Sequence, residues 1–146
     1  MLEHDWHKKV REEIFQKLQP NAYSSHSEIS KLELYRDSVK RQNCLSDADI
    51  VVFDPISKKI MQIIEIETQI NPKKIIGIVL ATHLCSFCRI KKENHLLDNI
   101  SLKIVYKKSV QGSKKDMKLE VIKQPLKEII ANTKGCLSDF AFEEHD

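Results

Sequence analysis

Between Ser46 and Gln69 the chain reads SDADIVVFDPISKKIMQIIEIETQ. Two runs rich in Val and Ile, separated by the polar stretch PISKK, have the composition and spacing of a β-hairpin. Strands of this kind normally exclude charge from their buried faces, yet Asp49, Glu65 and Glu67 stand inside or beside them. Side chains alternate along a strand, so Glu65 and Glu67 share a face, roughly 6 to 7 Å apart at about 3.3 Å per residue. With a loop over residues 55–59, antiparallel pairing sets Asp54 opposite Ile60 and Asp49 opposite Glu65; a loop one residue shorter sets Asp49 opposite Ile64. Either register brings Asp49 within a residue of Glu65.

Opposed carboxylates repel, and they lose hydration when a sheet is covered. A divalent cation compensates both effects, and two or three carboxylates with the remaining positions left to water and phosphate oxygens describe a magnesium or manganese site suited to phosphodiester cleavage. The competing reading places Glu65 and Glu67 at a wet sheet end, paired with Lys73 or Lys74.

Working outward, Trp6, Val10, Ile14 and Leu18 recur at helical spacing from Asp5 to Gln19, with Asp5 as a cap and Pro20 as a stop. NAYSSHSE (21–28) reads as a loop and ISKLELY (29–35) as a short strand, although a helix within 28–41 also fits. After the hairpin, Asn71 and Pro72 open a helix whose apolar stripe runs to about Phe87. NISLKIVYKK and MKLEVIKQ alternate as strands around a turn at SVQGSKK, and PLKEIIANTKG closes as a short helix stopped by Gly135. The expectation is an α/β domain with helix, three strands, helix, two strands and helix in order, a central mixed sheet of about five strands covered by helices on both faces. At 146 residues the chain suits a single domain, residues 1–146, ending in an acidic tail over 135–146.

Composition narrows the function classes. No apolar run is long enough for a membrane span, the first residues mix charge with apolar side chains, and four irregularly spaced cysteines fit reduced thiols; a cytoplasmic protein is expected. The three glycines are isolated, so no phosphate loop is visible, and no aromatic cluster suited to stacking single strands stands out. Eight lysines between Lys103 and Lys127 suit either phosphates or the protected edge of a sheet.

The acids with their surroundings, Asp49 followed by IVVFD, a hairpin and then IIEIE, resemble the PD-(D/E)xK signature of the restriction-endonuclease-like superfamily, which includes type II restriction enzymes, junction resolvases and DNA repair endonucleases. The resemblance covers roughly residues 5–106. It implies a three-layer restriction-endonuclease-like fold and a Mg2+- or Mn2+-dependent endonuclease acting on double-stranded or branched DNA, with Asp49 and Glu65 as metal ligands. Two departures stand out: Ala48 replaces the proline, and Glu67 replaces the lysine, as a third ligand or an acceptor of the water's proton. Lys73, at the start of the next helix, is a candidate to restore the positive charge, and Glu13, at the flank of the first helix's buried stripe, is a candidate for the further acid that the family often adds. His7 flanks the same stripe. A chain this short has no separate DNA-reading domain, so cutting both strands implies a homodimer. The alternative is a catalytically inactive module of the same fold that binds nucleic acid or a protein partner.

His83 falls on the apolar side of its helix and reads as a satisfied core histidine. Cys85 and Cys88 form a CxxC pair without nearby partners, which reads as small buried residues before it reads as zinc.

Overall fold

The computed structural model describes residues 3–25, 31–108 and 113–146. Helix α1 (Glu3–Leu18) is followed by the strands β1 (Ala22–Ser24), β2 (Leu32–Tyr35), β3 (Cys44–Ala48), β4 (Ile50–Phe53) and β5 (Ile60–Glu67). Helix α2 (Pro72–Leu84), the strands β6 (Phe87–Ile90), β7 (Glu93–Leu96) and β8 (Ile100–Lys107), helix α3 (Ser113–Asn132) and strand β9 (Leu137–His145) complete the chain. The fold is α/β, with a mixed five-stranded sheet in the order β1-β4-β5-β8-β9 and a smaller four-stranded sheet β3-β2-β6-β7. In the large sheet β5, β8 and β9 run parallel, while β1, β4 and β5 are antiparallel.

The hairpin has the expected form. Ile50 pairs with Ile64 and Val51 with Ile63, the register that extends to Asp49 opposite Glu65, and a shift between Val52 and Phe53 absorbs one residue near the loop. Asp54 tightens the turn by accepting the Ile56 and Ser57 N–H groups, each at 2.8 Å, which holds its carboxyl below the usual value.

Alternation along the strands separates two apolar clusters. Ile50, Val52, Ile64, Ile66 and Val105 face α1, where Trp6 and Val10 are buried among them. Val51, Ile63, Ile100 and Ile104 face the opposite way, toward Ile75 and Val79 of α2, Leu119, Leu126 and Ile130 of α3, and Leu32 and Leu34 of the small sheet. Each fully buried aliphatic side chain contributes about 1.5 to 3 kcal/mol, so both faces of β5 are committed to core.

Several sequence expectations need correction. MKLEVIKQ is not a strand. It belongs to α3, and the burial of Leu119, Leu126 and Ile130, with Val121 72% exposed, follows a helical stripe. Pro125 lies inside this helix, so the expected short C-terminal helix is its second half. Helix α2 ends at Leu84, before Phe87, and Cys85 caps it by donating its N–H to the Thr82 carbonyl. Strands β1, β3, β6 and β7 went unread because they are short and carry little apolar alternation. Residues 137–145 are not a tail but the edge strand β9, with Leu137 and Phe140 inward and the acids outward. Two of those acids meet lysines of the basic segment, Asp139 with Lys127 at 2.6 Å and Glu143 with Lys103 at 3.8 Å. Ile29 and residues 109–112 of the expected turn SVQGSKK (109–115) lie outside the described residues, and 113–115 begin α3.

His83 is the satisfied core histidine. Its Nδ1 accepts the Leu137 N–H at 3.2 Å, and its Nε2 lies 3.1 Å from both the carbonyl and the hydroxyl of Thr133. Gly135 sits so close that a Cβ there would overlap the His83 carbonyl and ring.

Candidate metal centre

The three acids come from one corner of the large sheet. Ala48 ends β3 in the small sheet and Ile50 begins β4 in the large one, so Asp49 is the single residue at the bend. Because β4 departs there, the Ile66 N–H on β5 loses its ladder partner, and the Asp49 carboxylate substitutes for it, with Oδ2 accepting at 2.8 Å. Asp49 Oδ1 lies 3.3 Å from His7 Nε2 on α1, and the Asp49 carbonyl accepts the Ser25 N–H at 2.8 Å. Three elements thus fix this side chain.

Glu65 is 7% exposed and hydrogen-bonds Asp49 carboxyl to carboxyl, which requires one of the two to carry a proton. Burial, followed by the negative charges of Asp49 and Glu67, pushes the Glu65 carboxyl well above its ordinary value. Burial beside two other acids therefore favours the neutral form of Glu65. Its Oε1 is buried without a hydrogen-bond partner. Buried polar atoms are nearly always paired, so an orphaned carboxyl oxygen beside a second carboxylate marks a place for a cation or proton donor. Two hard oxygen donors, one of them unsatisfied, fit a hard divalent cation such as Mg2+ or Mn2+.

Glu67 follows a different course. It is 8% exposed, and its Oε2 pairs with Lys74 Nζ at 2.8 Å. The lysine comes from α2, whose first turn is fixed by Asn71 accepting the Lys74 N–H and by Pro72 at the first helical position. The ion pair raises the Lys74 ammonium, through its hydrogen bond to Glu67 and against partial burial. For Glu67 the expected alternative of pairing with a helix lysine is observed, although the carboxylate is buried and not at a wet sheet end. The three carboxylates do not close into a single ligand set. Among the described residues, the one trio of His, Cys, Asp or Glu ligand atoms mutually within 4.8 Å is Glu33, Cys44 and Asp47 on the small sheet.

The other sequence candidates divide. Lys73 is exposed, and among the described residues it joins no ion pair; a step of one residue turns a helix by about 100°, and Lys74 is the one directed at the acids. Glu13 does not reach the corner. It lies six residues beyond His7, about 9 Å along the helix, and its carboxylate faces His145 of β9 at 3.6 Å. The residue that α1 contributes is His7. Its position next to the buried Trp6 was the available signal. The cysteines hold no zinc-like arrangement among the described residues: Cys85, Cys88 and Cys136 are buried, and burial pushes each thiol up to about 12.

Compared with protein-family models, curated proteins and solved structures, the chain matches none.

Proposed function

We propose that the chain is a metal-dependent endonuclease hydrolysing phosphodiester bonds of DNA. The observation that carries this reading is the buried contact of Asp49 with Glu65, in which one carboxyl oxygen has no partner. Asp49 and Glu65 would hold Mg2+ or Mn2+, which when bound supplies Lewis-acid stabilisation of the charge developing on the phosphate. The chain's own groups do the rest. The Ile66 N–H and His7 orient Asp49. Lys74, paired with Glu67, would bring positive charge beside the acids for a bound phosphate. Glu67, held beside it, accepts a proton from the attacking water. A homodimer would present two such corners to the two strands.

The Glu67–Lys74 pair also supports a second reading, a catalytically inactive module of this fold that binds nucleic acid or a protein partner, because a lysine already neutralised by a carboxylate offers less to a phosphate. Titration with Mn2+ or Mg2+, followed calorimetrically and by plasmid nicking, separates the two. The enzyme binds metal and nicks DNA, and loses both in Asp49→Ala. Salt-sensitive DNA binding with no cleavage at any metal concentration would leave the module.

A further inference from the structure

The other end of the same hairpin carries a cleft with no acid pair. Tyr23 of β1, Phe53 at the end of β4 and His95 of β7 come together there from distant points of the chain. Tyr23 and Phe53 meet edge to face with ring centroids 5.6 Å apart, and Phe53 and His95 do so at 5.4 Å. Lys91 caps the cluster, its Nζ 5.2 Å from the Tyr23 ring centroid. These residues, with Lys58 from the hairpin turn, line a cavity of about 380 Å³, within the size range of small-ligand pockets. A neighbouring cavity of about 450 Å³ shares Lys58 and His95 and adds Lys59, Asp98 and Asn99.

The chemistry of this lining is selective. Aromatic rings offer a flat, polarisable surface that suits a planar base, and every base has such a face. Two lysines against one carboxylate, Glu93, leave the rim positive, which favours an occupant with negative charge. Among the described residues neither Lys58 nor Lys91 is engaged in an ion pair.

We propose that this cleft binds a nucleotide, its base against the cluster of Tyr23, Phe53 and His95 and its phosphate between Lys58 and Lys91. The continuation into the second cavity suits a chain of nucleotides, such as an unpaired strand end. The inference stands apart from the acid pair: Phe53 lies four residues beyond Asp49, roughly 13 Å along the strand, and nothing in the cleft requires metal.

The test is anisotropy of an end-labelled oligothymidylate titrated with the full chain in EDTA, where cleavage does not intervene. Saturable binding is expected, weakened about tenfold or more in Lys58→Glu/Lys91→Glu by the loss of phosphate contacts, with Lys118→Glu on α3 unchanged. Tyr23→Leu, which keeps apolar volume, weakens binding roughly tenfold through lost stacking, with its melting temperature recorded beside it. Displacement of the probe by adenosine monophosphate identifies a free nucleotide as the occupant; displacement only by short oligonucleotides identifies a strand end. No saturable binding of either probe, or equal weakening by Lys118→Glu, overturns the proposal. Binding without plasmid nicking would remove the enzyme reading and leave this one standing.

Discussion

Two acidic clusters lie on either side of Asp49's bend, and they differ in what burial does to them. On the small sheet Glu33, Cys44 and Asp47 bring their ligand atoms closest together, with Glu33 opposite Asp47 across the β2–β3 ladder. Asp47 is exposed, the other two are half-buried, and the Cys44 thiol bonds weakly to Glu33 Oε2 at 3.8 Å and to the Ser46 carbonyl at 3.7 Å. At the corner of the large sheet the acids are less tightly grouped, yet Glu65 is buried, its carboxyl pushed well above the ordinary value, and one of its oxygens has no partner. Proximity of carboxylates in water costs little, because solvent screens them. The same groups under a sheet lose hydration and must gain a proton, a cation or a donor. The buried pair is therefore the better candidate for chemistry, although the exposed trio is the better geometric cluster.

The widest separation between the two clusters is expected in cleavage. Glu65→Gln removes a ligand while keeping the shape of the side chain, and should lower plasmid nicking by at least about a hundredfold. Glu33→Gln on the small sheet should leave the rate within about twofold, since a half-buried carboxylate outside the corner contributes little charge there. Equal losses from the two substitutions would erase the distinction, and a loss confined to Glu33→Gln would move the centre to the small sheet.

Stability separates them next. Asp49→Ala strips the Ile66 N–H of its acceptor in a partly buried place and should cost about 1 to 3 kcal/mol in urea unfolding. Asp49→Asn keeps an amide oxygen at the same position, so it should retain most of that stability while losing metal binding. Asp47→Asn, on an exposed residue, should stay within about 0.5 kcal/mol. An Asp49→Asn protein as unstable as Asp49→Ala would mean that the carboxylate's charge, not its acceptor, holds the corner.

How far the sequence reached follows the same physics. The β4–β5 hairpin was legible because Val and Ile at period two leave few alternatives, and the register that faces Asp49 with Glu65 came from loop length alone. The bend at Asp49 was not legible, because ADIVVFD reads as one unbroken strand while the chain changes sheets inside it. Nor was α3: Leu119 and Val121 alternate as a strand would, and only Leu126 and Ile130 beyond Pro125 show that the stripe is helical. Strand β9 looked like an acidic tail because an edge strand needs only one apolar face, here Leu137 and Phe140. At the site, Asp49, Glu65 and Glu67 were found by their presence in apolar strands, whereas His7 and Lys74 depend on helix phase, which a one-residue ambiguity defeats. The aromatic cleft was invisible for a different reason: its rings come from Tyr23, Phe53 and His95, far apart in sequence and brought together by both sheets.

The test that addresses burial directly is the pH dependence of stability without metal. Glu65 keeps its proton in the fold above the ordinary value of 4.5 at which the unfolded chain releases it. The folded state then binds more protons than the unfolded state, so stability is fully present below about pH 4.5 and falls as pH rises toward the raised folded value, by at most about 1.4 kcal/mol per pH unit. Glu65→Gln should flatten that decline in EDTA. The small-sheet cluster offers only the Cys44 thiol, raised above its ordinary 9.0 by burial and by Glu33, so its loss of stability belongs to alkaline solution. Mg2+ inverts the sign at the corner, because a cation displaces the proton and binds more tightly as pH rises. Wild type should therefore lose stability as pH rises above the ordinary carboxyl range in EDTA and recover it in Mg2+, with Glu65→Gln indifferent to both. Should Cys44→Ser, and not Glu65→Gln, remove the metal's effect, the exposed trio would be the cation site and burial the wrong criterion.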